Sequence, residues 1–552
     1  MKRIATTFTL ALALLVVLPS CEKVFDDFLA EPTLEGQTTI EDYWIAVAEM
    51  DKLMNGAYAV TLGFNGNGLG SAPWTIANCM GDFLAPYEVN YALFEKSLGN
   101  QFYRRRNNIN NWDDHTRILQ YASNGENIAN SIIEKLESGD YDDDPDFEIL
   151  GKQMLGESYA MRAVINFQYT KQFGKQYHSS TRDELAWLYR REPIKAVEDG
   201  FKKRETVGDS YAYLLEDCEK AIEFLPEEYD PEIHKTTYGT NRFHADFARA
   251  LKAEVLFQMN DFENVVPAVN DLLGGEAGSS PRYPLARFVE DDEWSGFPAE
   301  IYYRYENEWY GPSRGLEVIF SWAADCGTHP TRADKNQRHG LFVPPIVDAN
   351  QSRADFVVNG NQGIYRMSQH FIDYVDFDEA NDLRFKELID VIVSSEDGNT
   401  YWWPLKYQKV SNSANGPNIL WFRSATFMLM RAEANARLGN NAAAIADLDA
   451  IRERAGLGSY AGSSDDSGNL VQDIIKERAR EMFLEKYRIW EQLRLGAVDG
   501  TKIGIGDRAN VPTFNPGFDL LHTGSDPIDW DSDIWPFAIP TNESLYNPDV
   551  LL

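Results

Sequence analysis

Apolar residues recur at helical spacing in several blocks of this chain. Trp44, Val47, Ala48, Leu53 and Tyr58 mark one helix over Trp44–Tyr58. Ile118, Leu119, Ala122, Ile128, Ala129, Ile132 and Ile133 mark another over Ile118–Leu136. Tyr159, Ala163, Phe167 and Thr170 fall about one turn apart within Leu155–Phe173. Asp209–Leu225 follows and is stopped by Pro226. Two blocks read as helix–turn–helix pairs. In one, Phe243–Met259 and Phe262–Leu273 flank Asn260-Asp261, with Pro267 an irregularity. In the other, Phe422–Leu438 and Asn441–Ala455 flank Gly439-Asn440.

Small residues stand where paired helices must approach: Ala248, Ala250 and Ala253, then Ala432, Ala434, Ala436 and Ala442. The pattern resembles tetratricopeptide (TPR) helix pairs, each of which needs a neighbour to bury its apolar face. The pairs are not tandem. Two stretches rich in Gly, Pro, Asn and aromatics interrupt them, at about 63–112 and 274–418. Short extended runs occur at Glu317–Trp322, Gly363–Met367 and Leu388–Val393, of which the last equally fits a helix. The expected architecture is mostly α, with interrupted TPR-type pairs as scaffold and long loop-rich inserts carrying short β-hairpins. Long structured loops of this kind usually carry function.

The N-terminus has a separate logic. Lys2 and Arg3 precede an uncharged run, Ile4–Leu18, too short for a comfortable membrane span and suited to a secretory signal. It ends Leu18-Pro19-Ser20-Cys21, which resembles a bacterial lipobox. That resemblance implies cleavage before Cys21 and lipidation of its thiol, hence a protein anchored to lipid by several acyl chains. The expected organisation is a signal peptide over 1–20, a lipidated Cys and tether over 21–40, and one domain over 41–552. Glu22, Asp26 and Asp27 follow the Cys, as in surface-export signals of Bacteroidota lipoproteins or in any solvated tether.

Composition narrows the partners. The chain has 552 residues, is 43% hydrophobic and 25% charged, and so is neither disordered nor fibrous. A net charge of −34 repels phosphate backbones, so nucleic acid is not an expected partner. Four cysteines exclude a disulfide scaffold. Cys79, Cys218 and Cys326 read as buried structural thiols.

Several blocks, in order, resemble the SusD/RagB-like nutrient-binding lipoproteins of Bacteroidota. Cys21 precedes Phe28-Leu29 and Pro32; Ala129-Asn130 leads to Ile132-Ile133; and Arg162-Ala163 leads to Phe173-Gly174. Then come Asp382 and Arg384, Lys406, Ala432-Glu433-Ala434, and Arg452 with Arg454-Ala455-Gly456. Glu477-Arg478, Arg480-Glu481, Glu485 and Arg488 follow, and Pro536 to Pro540 with Asn547-Pro548 close the series. Lys486 stands where the family usually has Gly, and Glu491 where Asp is usual. The stretch Glu477–Arg494 reads as one ion-paired helix that locks the scaffold to the C-terminal tail.

Signatures of catalysis are absent: no HExxH, GxSxG, P-loop or CxxC. Gly66–Gly70 lacks a dinucleotide spacing and reads as a loop. Asp142–Asp144 with Asp146, and Asp529, Asp531 and Asp533, read as solvated turns, since Ile534 occupies the place where a calcium loop needs Gly. No cofactor or metal is expected. A glycosidase needs two converging carboxylates, and nothing in the sequence singles out such a pair.

The inserts do supply aromatic surface. A flat ring stacks on the C–H face of a sugar while neighbouring Asn, Asp or Arg binds its hydroxyls. Trp74, Asp82, Tyr87, Tyr91, Trp112, Trp294, Trp309 and Tyr310 are the candidate ligand-binding residues. Tyr103–Asn107, with three arginines, is either solvated surface or an anion-binding patch. The family resemblance implies a non-catalytic, cell-surface lipoprotein on the outer membrane. It implies capture of oligosaccharides and their delivery to a TonB-dependent SusC-like transporter. Two rivals remain at this stage: a peptide-binding member of the same uptake system, and a surface glycoside hydrolase.

Overall fold

The structure, a computed structural model, describes residues 41–62, 69, 72–86, 114–235, 238–286, 290–291, 294–295, 317–322, 365–393, 398–404, 406, 419–504 and 527–551. In chain order the first helices are α1 (Val47–Leu62), α2 (Ala72–Met80), α3 (Asp114–Leu136), α4 (Lys152–Phe173) and α5 (Val207–Phe224). Then come α6 (Ala245–Gln258), α7 (Phe262–Leu273), α8 (Gln369–Val375) and α9 (Leu383–Leu388). The last are α10 (Ser424–Arg437), α11 (Asn441–Arg454), α12 (Leu470–Met482), α13 (Arg488–Asp499) and α14 (Thr541–Tyr546). Each helix read from apolar spacing is present, with ends within a few residues of those expected.

The scaffold is a chain of neighbours. α1 packs on α3, α3 on α4, α4 on α5, α5 on α6, α6 on α7, α7 on α10 and α10 on α11. Four TPR-type pairs therefore share one continuous core, although inserts separate them in sequence. α4 lies at its centre and is buried on every side. Its polar residues are consequently partnered: Arg162 takes both oxygens of Asp217 at 2.6 and 2.8 Å, and Asn166 donates to Glu126 at 2.7 Å. α5 starts where Thr206 Oγ1 accepts the Asp209 amide. α7 runs unbroken through Pro267, because Val265, Val269, Leu272 and Leu273 bury its face, and it ends at Gly274 with φ 69°. Cys79 and Cys218 are both buried thiols.

Among the described residues strands occur in pairs. β1 (Leu84–Pro86) is antiparallel to β5 (Tyr365–Met367), and β2 (Glu290–Asp291) to β3 (Trp294–Ser295). β4 (Val318–Trp322) is antiparallel to β8 (Ile419–Arg423), and β6 (Ile389–Val393) to β7 (Thr400–Pro404). The ambiguous run at Leu388–Val393 is thus a strand once Ile389 is reached. Its β-branched Val391 and Ile392 pair across to Trp402 and Tyr401.

One reading is corrected. Glu477–Arg494 is not a single helix: α12 ends at Met482, Leu484 takes φ 61°, and α13 begins at Arg488. Its acids Glu477, Glu481 and Glu485 meet Arg384, Arg423 and Lys406. The tail is held by Phe537 N on the Gln172 carbonyl and by Asn547 on the backbone of Lys202. The two acidic runs serve turns. Asp144 accepts the Val47 amide, while Asp529 and Asp533 pair with Lys502 and Lys175. Among the described residues no helix is long and apolar enough to cross a membrane.

Candidate functional site

The inserts leave the scaffold at clamped roots. Pro86, where the first insert departs, lies opposite Tyr365, and Ser368 N and Oγ bond the carbonyls of Phe83 and Asp82 behind it. Ala286 N donates to Glu317 Oε2 at 2.9 Å, which closes the ends of segment 287–316. Trp322 pairs with Ile419 across β4–β8. Ile503 and Ile528 exchange both backbone hydrogen bonds and close 505–526.

The carboxylates of the 477–488 stretch hold these roots. Glu481 on α12 receives Arg423 at 2.6 Å, Arg384 at 3.1 Å and Arg454. Glu477 receives Arg384 at 2.8 Å and Arg480 at 3.2 Å. Glu485 Oε1 receives Arg423 at 2.7 Å and Lys406 at 2.9 Å. Arg423 also reaches Glu317 Oε1 at 2.8 Å, so a single guanidinium joins β8, the start of β4 and α12. Arg488 opens α13 with two bonds to Asp82, at 2.5 and 2.7 Å. These groups are buried, apart from the half-buried Arg454. Burial alone would push Glu481 up, but Arg454, Arg423, Arg384 and Lys406 outweigh it and hold the carboxyl well below the usual range. Glu485 is lowered too, as Arg423 and Lys406 outweigh its burial. Burial pulls the Lys406 ammonium down to about 8, against the attraction of Glu485.

Two of the candidate ligand residues lie inside this foundation and not on a ligand surface. Trp74 on α2 is 8% exposed, with its ring edge-on to Trp421 of β8 at 5.3 Å. Asp82 is 3% exposed, with both carboxylate oxygens taken by Arg488. Their contacts are structural: apolar enclosure explains the Trp, and a buried guanidinium explains the Asp. Trp294 opens β3 opposite Asp291. Tyr87, Tyr91, Trp112, Trp309, Tyr310, Cys21, Cys326 and the Tyr103–Asn107 patch lie outside the described residues.

Sequence reasoning missed the exposed neighbours of Asp82. His370 Nε2 stands 3.6 Å from Asp82 Oδ2 and its side chain is 47% exposed. Tyr374 lies one turn further along α8, its ring 5.0 Å from the Arg488 guanidinium. A lone His with no spacing partner gives no signal in sequence. Glu317 and Arg423 were missed as well, since nothing local marks a residue whose partner is more than a hundred positions away.

Among the described residues no group of His, Cys, Asp and Glu gathers as metal ligands would. The buried carboxylates at the roots each face an arginine or lysine. That arrangement fixes a frame and leaves no carboxyl pair poised for proton transfer there.

Comparison with known proteins bears on what the frame carries. A family model described as the SusD family matches residues 361–519, and one described as starch-binding associating with outer membrane matches residues 52–242. A SusD-like protein of Formosa agariphila is 24% identical, over 89% of this chain and 91% of its own. A crystal structure of a SusD superfamily protein from Bacteroides vulgatus superposes with TM-score 0.68 at 19% identity, covering 92% of this chain and 98% of its own. One from Bacteroides thetaiotaomicron gives 0.67 at 18% identity, covering 92% and 99%. A putative sugar binding protein from Bacteroides vulgatus gives 0.65 at 16% identity, covering 92% and 97%.

Proposed function

Since the chain belongs to the SusD/RagB-like family, we propose that it is a glycan-binding lipoprotein of the outer-membrane surface. It captures oligosaccharides without cleaving them and passes them to a TonB-dependent SusC-like transporter. Cys21 carries the lipid, and the TPR face meets the transporter. The observation that carries this reading is the build of the molecule: a continuous helical scaffold whose inserts are rooted through buried ion pairs. A frame of that kind holds loops at fixed positions for recognition, as binding sites borne on rigid elements require.

Insert aromatics form the sugar platform in this reading, drawn from Tyr87, Tyr91, Trp112, Trp294, Trp309 and Tyr310. Stacking and hydroxyl hydrogen bonds supply moderate affinity, suited to a ligand that must be handed on. The family description of starch binding and the sugar-binding label of one structural neighbour support this ligand class.

Affinity electrophoresis of residues 22–552 through gels containing soluble starch, other neutral polysaccharides or none tests the proposal, with peptide mixtures as competitors. Retardation by a glycan with no loss of polymer supports it. Displacement by peptides, or shortening of the polymer, refutes it. Co-purification of a TonB-dependent transporter from solubilised outer membranes tests the partner.

A further inference from the structure

Glu485 stands at a junction that insert anchoring alone does not require. Its Oε1 receives Lys406 at 2.9 Å and Arg423 at 2.7 Å. Lys406 precedes segment 407–418, and Arg423 ends the strand that follows it. That oxygen meets residues on both sides of the segment, and the Glu481 carbonyl receives the same two groups, Lys406 and, at 2.9 Å, Arg423. The Glu485 backbone carbonyl accepts Asn78 Nδ2 at 3.0 Å, from the helix that leads through β1 into the first insert. Asn78 also donates to the Trp74 carbonyl, and the Trp74 ring leans on Trp421 of β8. The loop runs β8, Glu485, α2 and back to β8.

The chain accepts strain to make this junction. Leu484 is a buried non-glycine residue at φ 61°, a backbone that costs of order 1 kcal/mol. A helix continued from α12 would not need it. Lys406 is buried over the Phe483 ring at 4.3 Å, so its charge depends on the carboxylates around it.

We propose that Glu485 is a positioning residue for the ligand face: through one carboxylate oxygen and one carbonyl it couples the roots of segment 407–418 to helix α2, at the base of the first insert. The proposal rests on the reading that the inserts carry the ligand. A displacement of either root is transmitted to the other.

The test uses residues 22–552 and three variants: Glu485→Gln, Glu485→Gln with Lys406→Met, and Asn78→Ala. Hydrogen exchange is followed at Leu84–Pro86, Tyr401–Pro404 and Leu420–Arg423, and affinity is measured with maltoheptaose and soluble starch. Glu485→Gln removes the carboxylate that pairs with Lys406 and lowers Tm. The double variant also removes the Lys406 charge and recovers most of Tm, yet keeps faster exchange at Tyr401–Pro404 and Leu420–Arg423 and binds roughly tenfold more weakly. Asn78→Ala, which leaves the ion pairs intact, speeds exchange at Leu420–Arg423 as well as in α2. Full recovery of exchange and affinity in the double variant overturns the proposal, because charge balance then explains Glu485. So does an Asn78→Ala effect confined to α2. If the wild type binds neither glycan, the starch-class ligand fails separately, and the exchange pattern alone decides the coupling.

Discussion

Nη1 of Arg423 lies 2.8 Å from Oε1 of Glu317, and both side chains are fully buried. The pair joins the end of β8 to the residue before β4, and the same guanidinium reaches Glu481 and Glu485. Removing one side of a buried pair strands the other, which costs about 3–5 kcal/mol. Arg423→Met takes one cation from three buried carboxylates, which keep Arg384, Arg454 and Lys406, and should destabilise by up to about that much. Chemical denaturation of the variant against wild type gives the value. A change within about 1 kcal/mol, the size expected of an exposed pair, would contradict this account of the roots.

The α1–α3 crossing predicts a steric limit. A Cβ built on Gly125 falls 1.9 Å from Thr61 Oγ1 and 3.2 Å from the Ala57 carbonyl. Gly125→Ala overpacks this contact and should cost about 1–3 kcal/mol. Thr61→Ala in the same chain removes the nearest atom and should recover part of the loss. Thermal melts of the single and double variants check both.

Glu126 predicts a loss of stability on the alkaline side. Burial raises its carboxyl to about 7, opposed by Asn166, Arg190 and Arg162. In the unfolded chain the group titrates near 4.3. Its contribution is therefore full below that value and is lost as pH rises through about 7. Glu126→Gln keeps an acceptor for Asn166 and cannot ionise. It should leave Tm at acid pH little changed and raise it at about pH 8. A lower Tm at both values would refute the reading.

Lys171 predicts the opposite slope. Burial holds its ammonium down to about 7, against Glu254, with Lys486 pushing it further down. Two lysines share that one carboxylate, at 3.5 and 2.6 Å. Between about pH 7 and 10 the unfolded chain holds the extra proton, so stability rises with pH by at most about 1.4 kcal/mol per unit. Lys171→Met leaves Glu254 paired with Lys486 and should flatten that rise. Denaturation midpoints across this range measure the slope.

The scaffold was legible because a TPR-type helix must bury a stripe at i, i+3, i+4 and i+7, and alanines mark where pairs meet. Pro267 misled only slightly, since burial of its neighbours overrides the missing hydrogen bond. The stretch Glu477–Arg494 misled more. Its charges keep helical spacing, but Leu484 takes a left-handed backbone that no glycine announces. The partners of those charges were illegible for a different reason. Glu317, Arg384, Lys406 and Arg423 stand between 58 and 137 positions from the charges they meet across the fold, and only folding brings them together. For the site, composition marked the inserts as aromatic-rich, yet it did not separate Trp74, which packs on Trp421, from rings elsewhere in the inserts.

The measurement that tests the central claim most directly is calorimetry of residues 22–552 with a neutral oligosaccharide, alongside an assay for new reducing ends. Wild type, Trp112→Ala, Trp309→Ala and Trp74→Phe are compared. The account predicts saturable binding without cleavage, weakened or lost in the two insert variants and kept in Trp74→Phe, whose ring only packs. Cleavage of the sugar, or binding that survives both insert substitutions together, would contradict it.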